Sequence, residues 1–141
     1  MKRDRYARGW AKLQQVSGNT GGPILAPLDE VAPGFSRYIV EFVFGDIFSR
    51  PGLDLKSREI VALAALATRG DTRRQLEVHI GNALKTGSSR QEIVEVFIEV
   101  AVFAGLPAAM NALFIARDVF ADLDRRASQL TKASPPRRRA R

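Results

Sequence analysis

The chain contains no cysteine, a single histidine and no long uninterrupted apolar stretch. The lack of cysteine excludes a disulfide framework, thiolate metal sites, iron–sulfur clusters and thiol-based redox chemistry. One histidine among scattered carboxylates also lacks the ligand spacing of a metal site. No run approaches the roughly eighteen apolar residues of a membrane span, and no apolar segment follows the charged residues 1–12, so neither a span nor a signal peptide is expected. These absences predict a cytoplasmic protein.

Length and composition predict one folded domain. The 141 residues are 45% hydrophobic and 26% charged, which is ordinary usage for globular proteins and unlike disordered or fibrous chains. A chain of this size forms a single hydrophobic core. We expect one helical domain over residues 1–131 and a disordered basic tail over residues 132–141.

The formal charge of +7 is concentrated at the two ends of the chain. Residues 1–12 carry five basic residues and one acidic residue, and residues 132–141 carry five basic residues and no acidic one. Residues 13–131, with twelve basic and fourteen acidic residues, are slightly acidic. Nucleic-acid-binding folds carry basic stripes on their elements, so a nucleic-acid partner is not expected. The composition of residues 132–141 favours a solvated extension over an arm that binds a partner.

Apolar residues recur at helical spacing along most of the chain, and no period-2 alternation bounded by hairpin turns occurs, which predicts an all-α domain. Residues 18–33, rich in glycine and proline, show no periodicity and are predicted to be a connector, either a lid or interface loop or a plain surface wrap. The predicted helices span residues 6–16, 35–48, 54–70, 73–86, 90–104 and 108–126.

Three helix starts have recognisable caps. Asp54 is placed as an N-cap, and two capping-box patterns occur, Thr72 with Gln75 and Ser89 with Glu92. Residues 60–67 are all apolar, which is typical of a central helix packed on all sides. We therefore expect a bundle around a buried central helical hairpin.

The single histidine, His79, lies on a polar stripe in the middle of a predicted helix. Gln75 is one turn before it and Asn82 is one turn after it, directly beside apolar positions. One interpretation is a half-buried structural histidine bonded to a backbone carbonyl. The other is a general acid or base, because imidazole titrates closest to neutrality.

Charged residues near helix ends are further candidates. Glu59 is the last charge before the apolar residues 60–67, where desolvation can perturb a carboxylate, although an acid in a first turn also simply favours the helix dipole. Arg37, Arg50 and Arg58 lie near helix ends or breaks. They could clamp an anionic substrate, or be ordinary surface arginines.

Three sequence blocks in order resemble the carboxymuconolactone decarboxylase family. They are GDIFSRPGLDLKSRE at residues 45–59, HIGNALKTGSSRQEIVEV at residues 79–96 and FAGLPAAMNAL at residues 103–113. The resemblance covers about residues 5–123. It implies an all-α fold of the AhpD-like type, assembled into homo-oligomers, commonly trimers or hexamers. The amphipathic segment 35–48 would suit such an interface.

The resemblance also separates two branches of the superfamily. The thiol-peroxidase branch has Cys-x-x-Cys before the histidine, and counting back from His79 these positions are Thr72 and Gln75. Neither residue can form a thiolate, so that redox activity cannot reside here. The decarboxylase branch lacks the cysteines and keeps the histidine, as this chain does.

The resemblance implies a decarboxylase that needs no cofactor. Its substrate would be a small anionic lactone such as 4-carboxymuconolactone, in the protocatechuate branch of aromatic catabolism, the beta-ketoadipate pathway. The conjugated lactone itself accepts the electrons left by CO₂, so no pyridoxal, thiamine or metal is required. The implied roles are His79 for proton transfer, Glu59 for orienting the histidine, Arg50 or Arg58 for carboxylate binding, and Gln75 or Asn82 for hydrogen bonding.

Two alternatives stay open. Decarboxylases of this family often have His-x-Arg, whereas this chain has Gly81 two residues after His79, so a different lactone or acid substrate is one alternative. The other is a non-catalytic helical oligomer in which Gln75, His79 and Asn82 pair across an interface and the basic ends contact a polyanion.

Overall fold

The computed structural model describes residues 2–133, which are helical almost throughout and contain no strand. The all-α prediction is confirmed, with the first and last helices longer than expected. The last eight residues of the predicted basic tail lie outside this range. The elements are α1 Lys2–Ser17, a 3₁₀ turn Gly18–Thr20, α2 Gly21–Val31, α3 Phe35–Tyr38, a π-helix Ile39–Phe48, α4 Leu55–Arg69, α5 Arg73–Lys85, α6 Arg90–Ala104 and α7 Leu106–Ala133.

Two apolar clusters hold the helices together. The main core lies between α4, α5, α6 and α7, with Leu63, Ile80 and Phe97 completely buried at its centre. A second cluster joins α1 to the π-helix through Leu13 and Phe44 and their buried neighbours. The candidate residues on α4 and α5 therefore belong to the four-helix part of the molecule.

The capping predictions are confirmed at two of three helix starts. Asp54 accepts a hydrogen bond from the backbone N–H of Ser57 at 2.7 Å. Ser89 and Glu92 form a complete capping box. The box predicted at Thr72 is wrong, because the hydroxyl of Thr72 donates to the carbonyl of Leu66 instead, at 2.9 Å, and ties the turn to the end of α4.

The prediction of an irregular connector over residues 18–33 is also wrong, since α2 occupies most of it. Pro23 lies in the first turn, where its missing N–H would have no partner in any case. The glycines allow close packing: a Cβ on Gly21 would lie 2.7 Å from the side chain of Leu13, and one on Gly22 would lie 3.2 Å from the ring of Trp10. Packing against α1 thus outweighs poor intrinsic helix propensity.

The α4–α5 hairpin lies in the main core, but α4 is not enclosed on all sides as its apolar run predicted. It packs on α5, α6 and α7, whereas the side chain of Val61 is 58% exposed. The open face forms one wall of an apolar groove of about 1110 Å³ between α4 and α6, bordered by Ile60 and Phe103. None of the helices described is both long and apolar enough to cross a membrane.

Candidate active site

A glutamate and the single histidine meet where α4 packs on α5. Oε2 of Glu59 lies 2.7 Å from Nδ1 of His79. The Glu59 side chain is completely buried, while 25% of the His79 side chain is exposed. One end of this dyad is therefore closed off from solvent and the other is within reach of a ligand.

The hairpin geometry explains why residues twenty positions apart come together. Gly70, in the left-handed region at φ 78°, ends α4, and α5 returns along it after a short turn. Glu59 lies eleven residues before Gly70 and His79 nine residues after it. At about 1.5 Å per residue both lie at similar distances from the turn. The antiparallel pairing thus brings the two side chains to one level.

The bond to Glu59 defines the orientation of the imidazole ring. An ionised carboxylate only accepts hydrogen bonds, so Nδ1 of His79 is the donor in that state. In a neutral ring Nε2 is then the free acceptor, and in a protonated ring it is a second donor. The backbone-carbonyl partner expected for a structural His79 is wrong, because the partner of Nδ1 is the carboxylate of Glu59.

The second carboxylate oxygen of Glu59 is unusual. Within residues 2–133, Oε1 is buried and has no hydrogen-bond partner. Buried polar atoms in folded proteins nearly always have a partner, because desolvation without one costs about 1 to 3 kcal/mol. Within the described residues the buried hydroxyl of Ser88 is in the same state, and the Glu59 oxygen belongs to the side chain that bonds a partly exposed histidine.

Arg58, one of the two predicted carboxylate ligands, is engaged with the loop before α4. Its guanidinium donates to the carbonyl of Leu53 at 3.1 Å and to the carbonyl of Arg50 at 2.8 Å. It also lies over the ring of Phe48, 5.8 Å from the centroid. Arg58 therefore holds the residue 49–54 segment against the start of α4.

Arg50, the other predicted ligand, is exposed, and its guanidinium forms no hydrogen bond or ion pair with the part of the chain that is described. Arg37, by contrast, is paired with Glu41 on the next turn at 2.9 Å. Of the three arginines near helix ends, Arg50 is thus the one with its donors available.

The two predicted amide side chains lie in different surroundings. Gln75 is exposed. Asn82 is only 3% exposed and borders a cavity of about 650 Å³ between the 3₁₀ turn, α2, α5 and α7. Neither Glu59 nor His79 lines that cavity. The structure therefore joins Glu59 to His79 and places Asn82 at a different cavity.

Sequence reasoning missed the other polar residues of that cavity. Arg74 and Lys85 border it together with Asn82. Their spacing along α5 was a usable signal, because residues three, four, seven and eleven apart share one face of a helix. In the described region no three side chains of the metal-binding types converge on a common point.

Comparison with known proteins identifies the family to which the chain is similar. Residues 33–118 match the model of the carboxymuconolactone decarboxylase family. The chain is 31% identical over 120 residues to a 4-carboxymuconolactone decarboxylase of Acinetobacter baylyi, covering 84% of this chain and 89% of that protein.

Two further relatives are similar over shorter stretches. One is an uncharacterised 15.0 kDa protein from Paracoccus denitrificans, 34% identical over 98 residues, which are 69% of this chain and 73% of that protein. The other is a nitrosuccinic acid decarboxylase of Metarhizium robertsii, 29% identical over 91 residues, which are 64% of this chain and 62% of that protein. With the family model matching well over half of its length, the chain belongs to the carboxymuconolactone decarboxylase family.

Proposed function

We propose that this chain is a cofactor-independent decarboxylase that removes CO₂ from a small carboxylated lactone of the 4-carboxymuconolactone type, in aromatic catabolism. The observation that carries the proposal is the 2.7 Å bond between buried Glu59 and half-buried His79. The name of the Acinetobacter baylyi relative supports the reaction and the substrate class.

His79 is the proton-transfer residue in this proposal. The bond between the carboxylate carbon and the ring carbon of the substrate breaks, its electron pair enters the conjugated lactone as an oxyanion, and CO₂ leaves. The pair then returns to a ring carbon, which takes the proton held at Nε2 of the protonated imidazole. The imidazole recovers a proton from solvent, so the net reaction consumes one proton.

Glu59 acts through His79. Its Oε2 holds Nδ1 and so directs Nε2 toward the exposed side. Positioned acid–base residues of this kind contribute about 10²- to 10⁴-fold to rates.

Substrate carboxylates need a cation, and Arg50 is proposed for this role because its guanidinium is exposed and unpaired within residues 2–133. Arg58 keeps the segment that carries Arg50 in place through two backbone carbonyls. Gln75, exposed one turn before His79, is proposed as a hydrogen-bond donor to the substrate.

A homo-oligomer, trimer or hexamer, is proposed as the working form. Its support is a set of large apolar side chains left exposed on the single chain. Tyr38 and Phe42 lie on α3 and the π-helix, in the segment predicted to form an interface. A second group lies at the corner where α6 turns into α7, and this corner patch consists of Val102, Phe103, Leu106 and Met110. Large apolar side chains exposed in groups are typical of protein–protein interfaces.

The proposed reaction is tested by CO₂ release from 4-carboxymuconolactone with the purified wild-type protein and no added cofactor. Nitrosuccinic acid, named for the Metarhizium robertsii relative, serves as the competing substrate. We expect kcat/KM for the lactone to exceed that for nitrosuccinic acid. Release from nitrosuccinic acid alone would favour the differently specific family member, and release from neither would contradict the proposal.

A further inference from the structure

The cavity between the 3₁₀ turn, α2, α5 and α7 has the size and lining of a ligand site. Its volume of about 650 Å³ is typical of small-molecule pockets. Apolar side chains form much of its wall, including Ile24, Val78 and Val119. Several charged residues border it as well. Which of these charges are already paired within the protein indicates the charge of the ligand that the cavity could bind.

Every acidic side chain of the wall is already paired. Glu77 accepts from Arg73 at 2.8 Å, and Asp118 accepts from the same arginine at 3.0 Å. Asp122 pairs with Arg126 at 2.7 Å. The cavity therefore presents no free carboxylate for a cationic ligand.

Two basic side chains of the wall have no acidic partner. The guanidinium of Arg74 forms no hydrogen bond or ion pair with residues 2–133. Lys85 donates to the carbonyl of Ser17 at 2.7 Å and to the hydroxyl of Thr20 at 2.9 Å, both neutral acceptors. Its ammonium group has three donors, so one is left. Partial burial lowers the pKa of Lys85, as expected for a cation without a counter-charge.

Asn82 provides an independent indication of a ligand. The residue is 97% buried, borders the cavity, and its carboxamide makes no hydrogen bond to any part of the described chain. The buried unpartnered side-chain atoms of the described residues are Glu59 Oε1 and Ser88 Oγ, so the small exposed area of Asn82 includes its amide atoms. The amide therefore faces the cavity with its donors and acceptor available to a ligand.

We propose that this cavity binds a small organic carboxylate with an apolar body. The carboxylate accepts hydrogen bonds from the amide of Asn82 and the free donor of Lys85, which are three residues apart on α5, while the body lies against Ile24 and Val119. Arg74 lies about 16 Å from Lys85 along the helix axis and borders the far end of the cavity. This site is separate from the Glu59–His79 dyad, because neither residue of the dyad lines it. It holds whether or not the decarboxylase proposal is correct.

Three probes of one shape and different charge test the ligand class: benzoate, benzamide and benzylamine, each titrated calorimetrically into the full chain. We expect saturable binding of benzoate, with benzamide at least about tenfold weaker, since hydrogen bonds to charged groups exceed those to neutral groups by about that factor. Benzylamine should not bind. Equal binding of benzoate and benzylamine would overturn the proposal.

Two variants and a matched control locate the binding. Lys85→Gln and Asn82→Leu should each weaken benzoate binding about tenfold. Arg69→Gln, an arginine paired with Asp71 outside the cavity, should leave it unchanged. Because the carboxamide of Asn82 makes no hydrogen bond within residues 2–133, Asn82→Leu should melt at or above the wild-type temperature. Unchanged benzoate affinity in the folded Asn82→Leu protein would overturn the proposal.

A third variant separates this site from the dyad. His79→Gln should bind benzoate with wild-type affinity, because His79 does not border the cavity. Loss of benzoate binding in a folded His79→Gln protein would place the anion at the dyad and overturn the proposal. Benzoate binding is measured without turnover, so the result can be interpreted even if the decarboxylase assay shows no activity.

Discussion

At the scale of single residues, Glu59 is an expensive group to bury. It is completely enclosed, and its carboxylate has one hydrogen bond, to His79, within the described residues. Replacing both partners of a buried ion pair by apolar residues of similar volume is often neutral or stabilising, whereas removing one partner leaves the other unpaired. The stability of Glu59 is therefore tied to that of its partner, His79.

The first prediction concerns the double substitution Glu59→Leu, His79→Leu. The free energy of unfolding should stay within about 1 kcal/mol of wild type or rise, because both partners of the buried pair are replaced and the desolvation cost of the carboxylate is removed. Leu63→Ala, one turn later on α4 and fully buried, should cost about 2 to 5 kcal/mol. Urea denaturation measures both. A loss in the double variant as large as that in Leu63→Ala would show that the Glu59–His79 pair contributes to stability as a core residue does.

The sequence indicated the dyad residues for identifiable reasons. His79 is the single histidine and lies on a polar stripe, and Glu59 is the last charge before an apolar run. The behaviour of Arg58 was not predictable, because its carbonyl acceptors depend on how the residue 49–54 segment folds back. The carboxamide of Asn82 was placed on the right helix, but which side of α5 it faces depends on α2 and α7.

At the scale of elements, α1 and the π-helix cross at two glycines. A Cβ on Gly9 would lie 2.1 Å from the carbonyl oxygen of Val40, and one on Gly45 would lie 2.9 Å from the carbonyl oxygen of Arg5. Both obstacles are backbone atoms, so a side chain could be accommodated only by moving one helix. The contact also positions Phe44 in the second cluster.

The second prediction compares two glycine substitutions. Gly9→Ala should destabilise the chain by about 1 to 3 kcal/mol, because it overpacks this crossing. Gly81→Ala, in the middle of α5 with open space around the added methyl group, should stabilise it by about 0.5 to 1 kcal/mol through helix propensity. Thermal unfolding of the two variants measures the difference. Equal effects would contradict the close backbone contact at Gly9.

The third prediction concerns pH at the same crossing. Hydrogen bonding and charge from Arg5 hold the pKa of Asp46 below its ordinary value of 3.8, and Arg8 lies 3.6 Å away. A depressed folded-state pKa gives stability that is present above the unfolded pKa and lost as pH falls through the folded value. Asp46→Asn should therefore lower the urea midpoint at pH 7, and the difference from wild type should shrink below about pH 4. A difference independent of pH would contradict the ion pair.

Helix starts and helix types were predictable from the sequence where a local signal such as a capping box determines them. They were not predictable where packing against another helix determines the structure. The capping box at Ser89 is local, and α6 begins where it predicts. Residues 21–31 contain so many glycines and prolines that the sequence does not predict a helix. They form α2 because they pack against α1. The π-helical hydrogen bonding of residues 39–48 also left no distinct signal, since the same apolar residues fit an ordinary helical spacing.

At the scale of the whole molecule, the single chain leaves much apolar surface uncovered. In the corner patch, Phe103 is 81% exposed, and its neighbours on both helices are at least half exposed. Burying apolar surface of this kind contributes about 25 cal/mol per Å² to the free energy of association. We propose that a second copy of the chain buries this patch.

The fourth prediction concerns this corner patch. Val102→Glu should lower the mass of the particle measured by light scattering, because it buries a charge in the interface. Val102→Ala, which keeps the surface apolar, is the matched control and should keep the wild-type mass. A Val102→Glu protein with unchanged mass would show that the interface lies elsewhere, or that the wild type is monomeric.

The Glu59–His79 dyad is tested most directly by steady-state CO₂ release from 4-carboxymuconolactone in wild type and in His79→Gln. Glutamine keeps a polar group of similar reach but cannot carry the proton. We predict that kcat falls about 10²- to 10⁴-fold, that KM changes little, and that particle mass and melting temperature stay at wild-type values. A folded His79→Gln protein with wild-type kcat would contradict the assignment of proton transfer to His79.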